Sequence, residues 1–203
     1  MKQGPEDHPL GSLSYRQALR EAYPGAVYYY ATHTFRVYRI AQQSRQVLVR
    51  HEKRYTTKPK VLPTLVFPNL SPGNVFRGAS WGELVAMEAN LQVRERIAGF
   101  KERRGRNEFD VGYPMDGAKT GIYFNLPQFS RNFFTTGVIL NHPDLDSCAG
   151  TIDTMANYIF EAFLMLNPFE RQDIAIASDR HRTARGPIAE GRRNLVVFAT
   201  DPG

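Results

Sequence analysis

Arginine and lysine cluster at three places in this sequence: 50-RHEKRYTTKPK-60, 100-FKERRGR-106 and 179-DRHRTARG-186. Tyr55 interrupts the first cluster and Phe100 leads the second. Cationic side chains neutralise backbone phosphates, and an aromatic ring beside them can stack on a base; together they are the chemistry of single-strand nucleic-acid binding. The candidate contacts are Arg54, Lys58 and Lys60 in the first cluster, Lys101, Arg103, Arg104 and Arg106 in the second, and Arg182 and Arg185 in the third. Arg36 joins them from the aromatic stretch 23-YPGAVYYYATHTFRVYRI-40. Tyr55 and Tyr30 are the stacking candidates.

The charge distribution points the same way. Segments 50–60, 94–108 and 180–193 hold 16 Lys/Arg and 5 Asp/Glu, a net of +11, whereas the whole chain carries +6, so the remaining residues sum to −5. Basic charge concentrated in this way is the footprint of a polyanionic partner. The competing explanation is that Lys and Arg guard exposed strand edges and loops.

Other chemistries fit poorly. Residues 112-GYPMDGAKT-120 nearly spell a phosphate loop, but Ala118 separates Gly117 from Lys119-Thr120, and a strand is expected to follow where that loop needs a helix. His51-Glu52-Lys53 begins like a phospholipase-D-type nuclease, yet another lysine stands at position 58 where the acid belongs. Pro143-Asp144 lacks the carboxylate–lysine pair of a metal-dependent nuclease; Asp144, Asp146 and Asp153 are better explained by turns and a helix N-terminus, and Glu161 completes no set. The five histidines show no metal-ligand spacing. No catalytic set and no metal site emerge. Cys148 is the one cysteine, which excludes an internal disulfide and a cysteine-based zinc cluster and reads as an ordinary buried thiol.

The elements that must position the basic clusters follow from patterning. Residues 1–13 are expected to be a flexible lead-in, and 14-SYRQALREAYPG-25 a short helix capped by Ser14 and stopped at Tyr23-Pro24-Gly25. Strands follow at 26–31, 34–41 and 45–52, with Thr32-His33 at the first bend. Most rings of the tyrosine run are expected in the core, leaving Tyr30 and Tyr38 exposed beside Arg36. A strand at 61–67 leads into a Pro/Gly-rich irregular excursion, followed by strands at about 82–89 and 91–103, the latter with Gly99 as a bulge or bend and with helix as its rival because Glu and Arg favour it. A loop at 109–118, strands at 119–126 and 132–140, and a connector at 141–150 come next. In the helix 151–166, Ile152, Met155, Ile159, Phe163 and Leu166 recur at spacings of three and four, and strands at 170–178 and 193–200 flank a basic loop. The expected fold is α+β: a twisted antiparallel sheet or small barrel at 14–140, then a helix packed on further strands at 141–203. The polar N-terminus has no signal-peptide core, and NYIFEAFLML is too short to cross a bilayer, so a cytoplasmic protein without a membrane partner is expected.

The ordered motifs resemble a known family. Tyr23-Pro24-Gly25-Ala26-Val27-Tyr28 with Arg54-Tyr55-Thr56-Thr57, then 95-ERIAGFKERRG-105, then Phe134-Thr135-Thr136-Gly137-Val138, then the helix 151–166 with Asp173-Ile174, and finally Leu195 to Gly203 are similar, in this order, to the region beyond the motor domains of superfamily-two DEAD/DEAH-box DNA helicases of the MrfA type, the domain-of-unknown-function family 1998. The resemblance implies an accessory region that holds single-stranded DNA, or docks a motor subunit, within an ATP-dependent helicase of DNA repair or anti-phage defence. ATP and magnesium are expected only at motor domains that this chain lacks. Two departures stand out: Asn167-Pro168 occupies a position of the family's four-cysteine metal site, and the chain stops within the expected PGG turn, as a segment of a longer protein would.

Overall fold

The computed structural model describes residues 9–147, 152–167, 170–171, 173–180 and 193–200. Helix α1 spans Tyr15–Glu21, and Ser14 caps it in a reciprocal box: the Ser14 hydroxyl accepts from the Gln17 amide while the Gln17 side chain accepts from the Ser14 amide. The chain then forms β1 (Val27–Tyr30), β2 (His33–Ala41) and β3 (Gln46–His51), an antiparallel meander in the order β1-β2-β3. The first bend falls at Ala31-Thr32, one residue earlier than the sequence suggests. Both residues take positive φ, 45° and 70°, as a two-residue turn matched to strand twist requires, with no glycine to ease it. Thr34, Phe35, Arg36 and Val37 are all buried, so β2 is covered on both faces, as its two-sided aromatic pattern predicts.

A second sheet has the order β4 (Thr56–Asn69), β6 (Leu84–Arg104), β8 (Phe129–Asn141), β10 (Arg193–Ala199), β9 (Ile174–Arg180), with β5 (Val75–Trp81) and β7 (Asn107–Gly112) also paired to β6. The architecture is α+β with antiparallel hairpins. Several segments differ from expectation. The Pro/Gly-rich excursion contains β5, and the two strands expected around position 90 are the single strand β6. Asn90 does not break it, because its amide donates to the Asn74 carbonyl and its side chain to Asn74 Oδ1, each at 2.9 Å. Residues 107–112 are β7 rather than loop, paired to β6 across a turn at Gly105. Residues 119–126 are not a strand: one helical turn, α2 (Gly117–Thr120), ends at Gly121 in the left-handed conformation. A second short turn, α3 (Asp144–Ser147), interrupts the expected connector.

The chain divides into two compact units that interleave in sequence: 1–62 with 96–131, and 63–95 with 132–203. The first is built on Leu19, Tyr23, Ala26, Val37, Ile97, Phe100, Met115, Ile122, Phe124 and Phe129. The second has one core of Val66, Met87, Leu91, Val93, Phe133, Ile139, Val196 and Phe198, and another where α4 (Ile152–Leu166) packs through Ile152 and Ala156 on Leu145 and Leu195. The buried stripe of α4 runs through Ile152, Ala156 and Ile159; Met155 and Leu166, expected to be inward, are exposed. Among the described residues no helix is long and apolar enough to cross a membrane.

Candidate nucleic-acid interface

The described candidate contacts lie in the first unit, on β1, β2, the segment between β3 and β4, the start of β4, and the β6–β7 hairpin, whereas Arg180 of the third cluster lies on β9 in the second unit. Their environments differ sharply. Arg36 is 3% exposed, so it cannot reach a phosphate in solvent and is corrected from contact to scaffold. Its Nη1 donates to Glu102 Oε2 and, at 2.8 Å, to the Gly25 carbonyl; its Nε donates to Glu52 Oε2 at 3.2 Å. One buried cation thus joins the YPG turn, β6 and the segment after β3. Burying these charges is tolerable because each has an opposite partner and hydrogen bonds. At Glu52 burial raises the carboxyl pKa, but the Lys53 amide, Arg36 and Arg50 outweigh it and hold the group below the ordinary glutamate value.

Glu102 carries a second arginine. Arg104, 52% exposed, donates through Nε to Glu102 Oε1. Its guanidinium carbon lies 4.8 Å from the Tyr55 ring centroid and 5.3 Å from that of Phe109, both within cation–π range. Arg36 approaches the Tyr55 ring at 5.9 Å. Tyr55, proposed from its place between basic residues, is therefore already engaged by two arginines.

The remaining cations fall into two groups. Lys101 pairs with Glu108 at 3.1 Å across the hairpin, and Lys60 with Asp110 on β7. These exposed pairs leave each lysine partly neutralised. Arg54, Lys58, Arg103 and Arg106 are exposed and have no acidic partner among the described residues; Arg103 Nε donates only to the Gly105 carbonyl, at 3.1 Å. Arg182 and Arg185 lie outside the described residues.

Tyr30 is 42% exposed at the hairpin tip. Its neighbour Tyr29, expected in the core, is instead more open at 54%, because β1 is covered only at Val27, and its hydroxyl donates to the Tyr55 carbonyl at 2.6 Å, tying the tip to the basic segment. Tyr38 is half-buried, with the Arg50 guanidinium 6.0 Å from its ring.

The alternative chemistries do not assemble. A helical turn, not a strand, follows Gly117, but the Asp116 side chain accepts the Ala118 amide at 2.9 Å and so fills the position a phosphate would need. Glu161 pairs with Arg171, and Asp144 faces His142 at 3.5 Å. The side chains of Asp146 and Asp153, and all of Cys148, lie outside the described residues. Among the described residues no group of three or more His, Cys, Asp or Glu could hold a metal ion.

No family model matches the chain. No curated protein matches it either. Among solved structures, the crystal structure of the DUF1998 helicase MrfA bound to DNA matches 93% of this chain with a TM-score of 0.55 at 13% identity. The chain has the fold of a segment of MrfA. It spans 23% of that helicase's length. A second MrfA structure, bound to DNA and AMPPNP, matches 95% of the chain at 14% identity and a TM-score of 0.46. The resemblance read from the ordered motifs thus holds at the level of fold. The four-cysteine metal site of the MrfA type does not fit here, because one cysteine cannot supply four thiolates.

Proposed function

We propose that this chain is a non-catalytic accessory region of an ATP-dependent DNA helicase, acting in the cytoplasm in DNA repair or anti-phage defence, and that it holds DNA, single strands in preference to duplex, through the basic segments of its first unit. The observation that carries this reading is the set Arg54, Lys58, Arg103 and Arg106, four exposed cations with no acidic partner among the described residues, mounted beside a buried ion network that keeps their supporting strands in place. Unneutralised cations are the groups that release counterions from a phosphate backbone. The DNA-bound helicase MrfA, whose fold this chain shares in part, makes DNA the polyanion to test first. Arg182 and Arg185 would extend the contact, and the motor domains would hydrolyse ATP elsewhere.

The test is fluorescence anisotropy of the purified chain with a labelled short strand and the matching duplex. Saturable binding that is tighter for the single strand supports the reading; equal affinity removes the strand preference, and no binding at low salt removes the function.

A second reading, a module that docks a helicase motor subunit, rests on the apolar side chains that α4 exposes: Met155, Tyr158, Met165 and Leu166. It predicts a chain that ignores oligonucleotides and binds the motor protein.

A further inference from the structure

Arg104 occupies the space shared by two rings that do not touch each other. Its guanidinium carbon is 4.8 Å from the centroid of Tyr55 and 5.3 Å from that of Phe109, and no ring contact joins Tyr55 to Phe109 among the described residues. Tyr55 lies just before β4 and Phe109 lies on β7, so the two rings come from different segments of the chain. Phe109 is exposed, and its neighbours on the same hairpin, Arg103, Arg104 and Arg106, are cationic. We propose that the Tyr55–Phe109 pair is a base-binding site for an unpaired nucleobase, and that Arg104 is its exchangeable plug.

The plug can leave because of what lies behind it. Glu102 is the residue that would suffer, since it is buried and loses one arginine. Arg36 remains on the same carboxylate through its Nη1, so Glu102 is never left as an unpaired buried charge. Arg104 itself is 52% exposed and stands one residue from the Gly105 turn, where its side chain can swing toward solvent. A guanidinium leaving two ring faces finds an equivalent partner in a phosphate, which it can bind through two parallel N–H groups. The base then takes over the ring contacts, which accept any base because every base has a π-face. A planar cation in the empty site and a planar base in the filled one satisfy the same two rings.

This proposal rests on the DNA-binding reading above and is separable from it. The experiment uses the full chain with a single strand carrying 2-aminopurine, following anisotropy for binding and 2-aminopurine fluorescence for stacking, both at saturating protein. The expected result is quenching on binding by the natural chain, quenching reduced about threefold or more in Phe109→Leu with the salt dependence of binding unchanged, and quenching kept or deepened in Arg104→Ala. Phe109 is exposed, so its replacement leaves the core intact, and the Arg104→Ala arm gives an independent reading. Salt-sensitive binding without quenching, or quenching that Phe109→Leu leaves whole, overturns the base site while DNA binding stands. An anisotropy that never rises overturns both.

Discussion

Arg36 and Glu102 stand 66 positions apart in the sequence and form an ion pair in which each side chain is 3% exposed. Around this pair the first unit sorts its cations. Arg36 is consumed by structure, Arg104 is shared between structure and surface, and Arg54, Lys58, Arg103 and Arg106 are left without a carboxylate among the described residues. A count of basic residues treats all six alike; their burial separates them into scaffold and contact.

Removing Arg36 is expected to unfold more than it unbinds. Arg36→Ala leaves the buried Glu102 with only the half-exposed Arg104 and takes the near partner from Glu52, a loss of about 1–3 kcal/mol or more. For a chain of this size that corresponds to a fall in Tm on the order of 2–4 °C per kcal/mol. Thermal unfolding followed by circular dichroism measures it. A loss below about 1 kcal/mol, the value of a surface pair, would contradict the buried network.

Gly99 and Gly112 face each other across the β6–β7 ladder but should respond differently to alanine. Gly99 has φ +150°, and a Cβ placed there would stand 2.1 Å from the Val111 carbonyl oxygen. At Gly112 a Cβ meets nothing within 4 Å. Gly99→Ala is therefore expected to cost on the order of 1–3 kcal/mol or more, and Gly112→Ala to lie within about 0.5 kcal/mol of the natural chain, as urea unfolding midpoints would show. Equal effects would place the close approach elsewhere.

Two tyrosines, Tyr23 buried and Tyr113 half-buried, set the alkaline limit of the fold. Burial pushes the Tyr23 hydroxyl up to about 12 and raises Tyr113 as well, whose hydroxyl donates to the Pro24 carbonyl at 2.6 Å. Both folded values lie above the unfolded tyrosine value of about 10, so the folded state holds these protons more tightly. Their contribution is complete below about pH 10 and is lost as pH rises from there through the folded values. Unfolding midpoints should be flat between about pH 8 and pH 9.5 and then decline, with Tyr23→Phe reducing the decline. A slope unchanged in Tyr23→Phe would assign the effect to other groups.

Much of this architecture is written in local chemistry. Ser14 with Gln17 announces α1, the crowded residues 34–37 announce a strand covered on both faces, and the spacing from Ile152 to Ile159 announces α4. What escaped is decided at long range. Asn90 reads as a break until Asn74 satisfies it, 16 positions away. The stretch Val75–Trp81 reads as irregular because all seven residues are exposed and no buried face imposes a period. Arg36 reads as a contact because nothing local reveals Glu102. Phe109 was legible only as one residue of an expected loop; its pairing to Glu102 in the β6–β7 ladder and its approach to Arg104 arise from the hairpin. The basic segments, by contrast, are visible as composition, because solvated charge needs no distant partner.

Four cations of the first unit, without acidic partners among the described residues, are the groups proposed to hold a DNA backbone. The most direct test is the salt dependence of single-strand binding for the natural chain and for the variant Arg54→Ala/Lys58→Ala/Arg103→Ala/Arg106→Ala. Each phosphate that the variant no longer neutralises should flatten the double-logarithmic slope by about 0.7, so four such phosphates predict a change of about 2.8, with the fold unaltered because all four side chains are exposed. A natural chain with a steep slope and a variant with a shallow one is the expected result. Identical slopes would contradict the account.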